Sequence, residues 1–168
     1  MAYTGAWFSP ARWSRNDLIM AVASVAMAVS VFVRWFSATL KFGGGAPVTG
    51  FLLNLPGTGS GVSFHRYLWA VVALALLQLG ILAARYVPNG RGFTVPGYPQ
   101  FVAVTSGLSF VIALVAAVMK PTVSGGGGFS IVIGWTYGPV LAMAAAIVSG
   151  GVAIATIRNQ PVTSLSWR

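Results

Sequence analysis

Side chains that could carry out chemistry are few in this chain of 168 residues. Asp17 is the only acid, His65 is the only histidine, and cysteine is absent. A Ser-His-Asp unit needs a carboxylate to orient its imidazole, and paired-carboxylate hydrolysis needs two acids. The lack of cysteine also excludes thiolate nucleophiles, disulfides and cysteine-ligated metals. We therefore predict no catalytic residue, no cofactor and no metal, and a protein that is not an enzyme.

Arg34 and Trp35 stand near the end of a long apolar segment, where two interpretations remain open. An arginine at a membrane boundary extends its guanidinium to the headgroups along its own aliphatic stem. The alternative is a specific contact, because a guanidinium binds phosphate or carboxylate through two parallel hydrogen bonds. Arg34 and Trp35 are therefore candidate contacts for a lipid phosphate or for the carboxylate of a partner.

His65, Arg66 and Arg91 are the other candidate contacts with lipid or partner. His65 and Arg66 directly precede an apolar segment, as expected of polar residues at the level of the headgroups. The alternative for His65 is an axial haem ligand opposite a methionine. Arg91 lies in a segment rich in proline and glycine, which is either a solvated hairpin or a surface presented to a partner.

Gln78 lies in the middle of an apolar segment and predicts a contact between helices. An amide within a membrane must find hydrogen-bond partners in the protein. Thr105, Ser106 and Ser109 of a later apolar segment are the expected partners, with about 0.6–2 kcal/mol for each bond. The alternative is a polar cavity, because intramembrane polar groups often mark functional sites.

Four apolar segments must position these residues. About 20 apolar residues cross the ~30 Å hydrocarbon core as a helix, and spans are predicted at residues 18–36, 67–86, 101–119 and 138–157. Only 7% of the residues are charged and 57% are hydrophobic, whereas a soluble domain has about 25% charged residues. We therefore predict an all-α membrane protein whose residues 1–168 form one bundle of four transmembrane helices.

The segments between the spans predict a glycine-rich outer cap formed by loops 37–66 and 120–137. The second loop contains residues 129–133, which are rich in β-branched side chains and favour a short strand. Residues 48–55 are the expected pairing partner in a small sheet. The alternative is that residues 129–133 extend the fourth span outward as helix.

Basic residues predict the orientation of the chain and its partners. Ten cations stand against one acid, and six of the ten fall on the side of the N-terminus, with loop 87–100. The bias places both termini in the cytoplasm, and the composition fits the plasma membrane of a prokaryote. Cations near that face contact anionic headgroups. They are too dispersed for the basic patch of a nucleic-acid-binding protein, so no nucleic-acid partner is predicted.

Small residues spaced by four predict how the helices pack. Ala142, Ala146 and Gly150 form the clearest such face, on the fourth span. Close approach of small residues stabilises helix pairs in membranes. The face either packs within the bundle or docks a partner helix or a second copy of the chain.

Two sequence features resemble a known type of protein. The first span ends in Arg34-Trp35-Phe36-Ser37, and the last is entered through Gly134-Trp135-Thr136-Tyr137-Gly138. The chain resembles small four-helix integral membrane proteins of actinobacteria, most of which have no assigned function. We expect a non-catalytic accessory or scaffold subunit of a membrane complex, or a self-associating structural protein. The alternative is a lipid- or small-molecule-binding or transport protein with a cavity under the outer loops.

Overall fold

A computed structural model of the chain describes residues 13–42, 48–49, 59–86, 96–120 and 129–159. Its elements, in chain order, are α1 (Arg15–Ser30), β1 (Arg34–Phe42), β2 (Val48–Thr49), β3 (Gly59–Ser60), α2 (Gly61–Phe64), a 3₁₀ turn (Arg66–Leu68), α3 (Trp69–Ala84), α4 (Tyr98–Val118), β4 (Phe129–Trp135) and α5 (Tyr137–Asn159). The fold is thus mostly helical, with one small sheet.

Three helices in the described part of the chain are long and apolar enough to cross a membrane. They are Arg66–Ala84, which includes the 3₁₀ turn, Tyr98–Val118 and Tyr137–Asn159. Their positions agree with the second, third and fourth predicted spans to within three residues at each end. The chain therefore has the helices of an integral membrane protein.

The prediction that the first span continues to residue 36 is wrong. Helix α1 ends at Ser30, and Arg34 begins strand β1. The apolar run continues through this boundary, but its valines and aromatic residues suit a strand as well as a helix. At 16 residues, α1 is roughly 24 Å long, which is shorter than the three helices above.

The predicted strand in the second outer loop is present, but its partner differs from the expected one. Strand β4 pairs antiparallel with β1 from Phe36–Trp135 to Phe42–Phe129. β2 and β3 pair with the other edge of β1, so the sheet is three strands wide. Of the expected partner, residues 48–49 pair with β1, and residues 50–55 lie outside the described residues. The partner of β4 is instead β1, a strand of nine residues that forms seven residue pairs with it.

The four long helices form a ring. Helices α1 and α4 each pack against both α3 and α5. The sheet follows the C-terminus of α1 and precedes the N-terminus of α5, and we call this the sheet end of the bundle. Two apolar clusters fill the ring, one next to the sheet and one near the opposite end.

Trp35 joins the sheet to the bundle. Its side chain is completely buried, and its Nε1 donates to the carbonyl of Ser30 at 2.8 Å. A Cβ added at Gly61 would lie 2.7 Å from Cε2 of Trp35. A Cβ at Gly138 would lie 2.7 Å from the Arg34 carbonyl oxygen and 2.8 Å from Nε1 of Trp35. The indole therefore fits only because α2 and α5 both present a glycine to it.

We expect Gly138→Ala to destabilise the protein by about 1–3 kcal/mol, as overpacking does. The new methyl group meets backbone and a locked ring, neither of which can move away cheaply. Gly151→Ala, on the same helix, is the control, because no atom lies within 4 Å of its Cβ position. Thermal unfolding in detergent compares the two variants, and equal melting temperatures would contradict this account of the Trp35 contact.

Candidate functional site

Five residues line an open pocket at the sheet end. Its volume is about 520 Å³, and its lining consists of Phe32, Arg34, Gly59, Ser60 and Tyr137. The backbone of Arg34 is held in place, because its carbonyl oxygen accepts from the hydroxyl of Thr136, the residue that precedes α5. The pocket offers a guanidinium and two hydroxyl groups, which are hydrogen-bond donors suited to an anion.

Trp35 does not take part in this pocket, contrary to the sequence-based expectation. The prediction placed its side chain at the surface beside Arg34, ready for lipid or partner. Successive residues of a strand point to opposite faces, and the side chain of Trp35 enters the core. Among the described residues, the exposed aromatic side chains of the sheet end are instead those of Phe32, Tyr67, Trp69, Trp135 and Tyr137.

His65 and Arg66, two of the other candidate contacts with lipid or partner, are not among the residues that line this pocket. His65 is partly buried, with its ring centroid 5.2 Å from that of Tyr67 and 6.0 Å from that of Phe36. Its buried Nε2 has no hydrogen-bond partner among the described residues. Arg66 is exposed and begins the 3₁₀ turn. Arg91 lies outside the described residues.

Gln78 is the centre of a polar layer that joins all four long helices. Its Nε2 donates to Oγ1 of Thr105 at 2.7 Å and to Oγ of Ser106 at 3.2 Å. Its Oε1 accepts from the Ser24 hydroxyl at 2.7 Å. Ser106 in turn donates to Oγ of Ser149 at 3.1 Å. Thr105 and Ser106 are thus the partners on α4 that sequence reasoning expected.

Ser109, the third expected partner, does not form the predicted hydrogen bond to Gln78. Its side chain is buried, but its Oγ has no hydrogen-bond partner among the residues that the structure describes. Ser109 lies one helical turn from Thr105 and Ser106, toward the sheet end. Gln78 therefore satisfies its amide one turn away from Ser109.

The small-residue face of α5 packs inside the bundle. Ala142 and Ala146 are buried, and a Cβ at Gly150 would lie 3.3 Å from Cβ of Ser106 on α4. The neighbouring row, Ala145, Ser149 and Ala153, is also buried. Both small faces of α5 are therefore occupied by helices of the same chain.

A second, wholly apolar groove runs along the outside of the bundle between α1 and α5, and we call it the α1–α5 seam. Its volume is about 380 Å³. Four alanines and five larger aliphatic residues line it. They are Leu18, Ile19, Val22, Ala23, Ala26, Leu141, Ala144, Ala145 and Val148.

An ion pair that the sequence analysis did not anticipate closes the opposite end of the bundle. Nη1 of Arg85 lies 2.9 Å from Oδ2 of Asp17, whose side chain is buried. The Tyr86 hydroxyl donates to the same oxygen, and the Arg85 guanidinium carbon lies 3.7 Å from the Tyr98 ring centroid. Trp13 stacks on Tyr86 at 4.9 Å. We call these five residues the ion-pair end.

The ion-pair end is built by ordinary helix chemistry. The Ser14 side chain caps α1 by accepting from the backbone N–H of Asp17 at 3.1 Å. Burial raises the pKa of the Tyr86 phenol, and its hydrogen bond to Asp17 raises this pKa further. Tyr86 is therefore neutral and able to donate at physiological pH. A single acid among ten cations was the available signal for such a pair.

No protein family, curated protein or solved structure matches this chain. The resemblance to small actinobacterial membrane proteins therefore stays a prediction. Within the described ranges, no three residues among histidine, aspartate and glutamate come together as a metal site would require. The structure brings together hydrogen bonds inside the bundle and, at the sheet end, a pocket whose lining residues carry hydrogen-bond donors.

We expect Ser24→Ala to cost about 1–3 kcal/mol, because it leaves the buried Oε1 of Gln78 without the donor seen in the structure. Adding Gln78→Met should remove most of this cost, since the apolar side chain needs no partner. Ser30→Ala is the control on the same helix, because the Ser30 hydroxyl bonds only to the local carbonyl of Met27. Unfolding of the single and double variants measures the coupling. Additive effects would show that the polar layer is not one network.

Proposed function

We propose that the protein is a non-catalytic structural subunit of the membrane that associates with a second copy through strand β4. The observation that carries this proposal is the second edge of β4. One edge pairs with β1 along seven residue pairs, and no described strand pairs with the other. An unpaired edge presents a row of backbone donors and acceptors that a further strand can complete.

The composition of β4 supports this role. Proteins that remain monomeric protect an edge strand with charges, proline or bulges. Strand β4 reads Phe-Ser-Ile-Val-Ile-Gly-Trp, without a charge or proline, and its Val132 and Trp135 side chains are exposed. Antiparallel pairing of an edge with itself uses the same surface twice, as a two-fold symmetric dimer requires.

We further propose that α1 crosses the membrane with the three longer helices and completes a four-helix bundle. Leu18, Val22, Val25 and Val29 are all about half exposed and recur at helical spacing along one side of α1. Such an apolar face is stable in lipid and unfavourable in water. The contacts of α1 with α3 and α5 support a position of this face at the same depth as theirs.

The orientation that we propose puts the ion-pair end in the cytoplasm of a prokaryote and the sheet end outside the plasma membrane. Arg15 and Arg158 are exposed at the ion-pair end, where anionic headgroups would contact them. The exposed aromatic residues of the sheet end would lie in the outer interface.

In an accessory role within a larger complex, the same edge of β4 would pair with a strand of a different protein.

The absence of cysteine makes a cross-linking test specific, because each introduced thiol is the only one in the chain. Single cysteines at each position from Ser130 to Gly134 are oxidised in native membranes. We expect disulfide-linked dimers, with a maximum at the position nearest the two-fold axis, where facing Cβ atoms lie about 4.5–5.5 Å apart. Val104→Cys, on the exposed face of α4, is the control. Equal dimer yields at Val104 and throughout β4 would refute the proposed interface.

Labelling of intact cells with a membrane-impermeant maleimide tests the orientation. Ser63→Cys, at the sheet end, should react directly because Ser63 is exposed. Asn159→Cys, at the end of α5, should react only after the cells are permeabilised. The opposite pattern would invert the topology, and equal labelling of both sites in intact cells would contradict a fixed orientation.

A further inference from the structure

The pocket at the sheet end adjoins the two helices that form the α1–α5 seam. Phe32 and Arg34 of the pocket directly follow α1, and Tyr137 begins α5. The seam continues along the same helices from Ala26 and Leu141 toward the opposite end. A polar pocket is therefore followed, along one line, by an apolar groove.

Along α5, the distance from the pocket to the far end of the seam is close to the thickness of one leaflet of a bilayer. Leu141 follows Tyr137 by four residues, or roughly 6 Å along the helix axis, and Val148 follows it by eleven, or roughly 16 Å. Half of the ~30 Å hydrocarbon core is about 15 Å. Val148 is also the central residue of α5 (Tyr137–Asn159). Along α5 the seam thus begins one turn from Tyr137 and ends near the middle of the helix. Along α1 it runs from Ala26 to Leu18, in the first turn of that helix.

The pocket has the chemistry of a phosphate site. Arg34 contributes a charged fork of donors, which suits the oxygens of a phosphodiester. Ser60 adds a hydroxyl that makes no capping bond to α2, and Tyr137 adds a phenol on an exposed ring. No acid lines the pocket. Exposed aromatic residues such as Phe32 and Tyr137 are typical of the headgroup level.

We propose that this pocket and the seam together bind one phospholipid, with its phosphate between Arg34, Ser60 and Tyr137 and one acyl chain in the seam. The inference rests on the membrane placement of α1 and α5 proposed above, but not on the β4 interface. The alanines of the seam, Ala23, Ala26, Ala144 and Ala145, provide the concave surface that a single chain needs. Charge complementarity with the phosphate selects a phospholipid over a neutral lipid.

Native mass spectrometry of the delipidated protein in detergent, titrated with phosphatidylglycerol, tests this site. We expect Arg34→Gln to weaken binding about tenfold, the effect of losing a charged hydrogen bond. Arg34→Lys should be intermediate, because it keeps the charge but loses the fork. Ala144→Phe, at an exposed position of the seam, should also weaken binding. The control is Val104→Phe on the exposed face of α4, which should bind like the parent protein.

Two further ligands identify the part of the lipid that is bound. Diacylglycerol, which has the chains without the phosphate, and inorganic phosphate should each bind more weakly than phosphatidylglycerol. If inorganic phosphate displaces the lipid fully and Ala144→Phe has no effect, the pocket is a free-phosphate site and the proposal is overturned. Equal binding by the Arg34 variants and the parent, all with unchanged melting temperatures, would also overturn it. Dimer cross-linking through β4 is unaffected by either result.

Discussion

A single buried amide constrains the whole bundle. Gln78 is completely buried among apolar side chains, where an unpaired amide would be costly, and its three hydrogen bonds are all made to protein groups. Those partners come from α1 and α4, and α5 joins through Ser149. The layer lies between the two apolar clusters on every long helix, so the helices cannot slide along one another without breaking it. Apolar packing alone would tolerate several registers, whereas the polar layer specifies one.

The sequence predicted this layer well because a lone amide in an apolar span has few ways to be satisfied. It also located α3, α4 and α5, since their apolar runs are long and bounded by polar or turn-forming residues. The end of α1 was mispredicted for a different reason. Hydropathy reports whether a residue is buried, and Trp35 and Phe36 are buried in strand β1 as they would be in a helix. Pairing with β4, almost a hundred residues later, decides between the two.

The side chain of Trp35 shows the same limit of prediction from the sequence. A tryptophan beside an arginine at the end of an apolar segment resembles an interfacial anchor, and nothing nearby in the sequence contradicts that. Its burial depends on Gly61 and Gly138, which reach it only after the chain has folded. For Asp17 the sequence does contain a signal, because the single acid of a chain with formal charge +9 has many possible cationic partners. The identity of that cation, Arg85, required the antiparallel packing of α1 and α3.

The interior and the sheet end are therefore under different constraints. Inside, the hydroxyl groups, the amide and the small faces of α5 are used to hold the helices together. Helix α1 passes into β1 after three residues, β4 passes into α5 after one, and Thr136 donates from this junction to the Trp35 carbonyl at 3.0 Å. The β4 edge and the α1–α5 seam consequently belong to one continuous body. Two short connections and the buried indole of Trp35 thus join the sheet to the helices that form the seam.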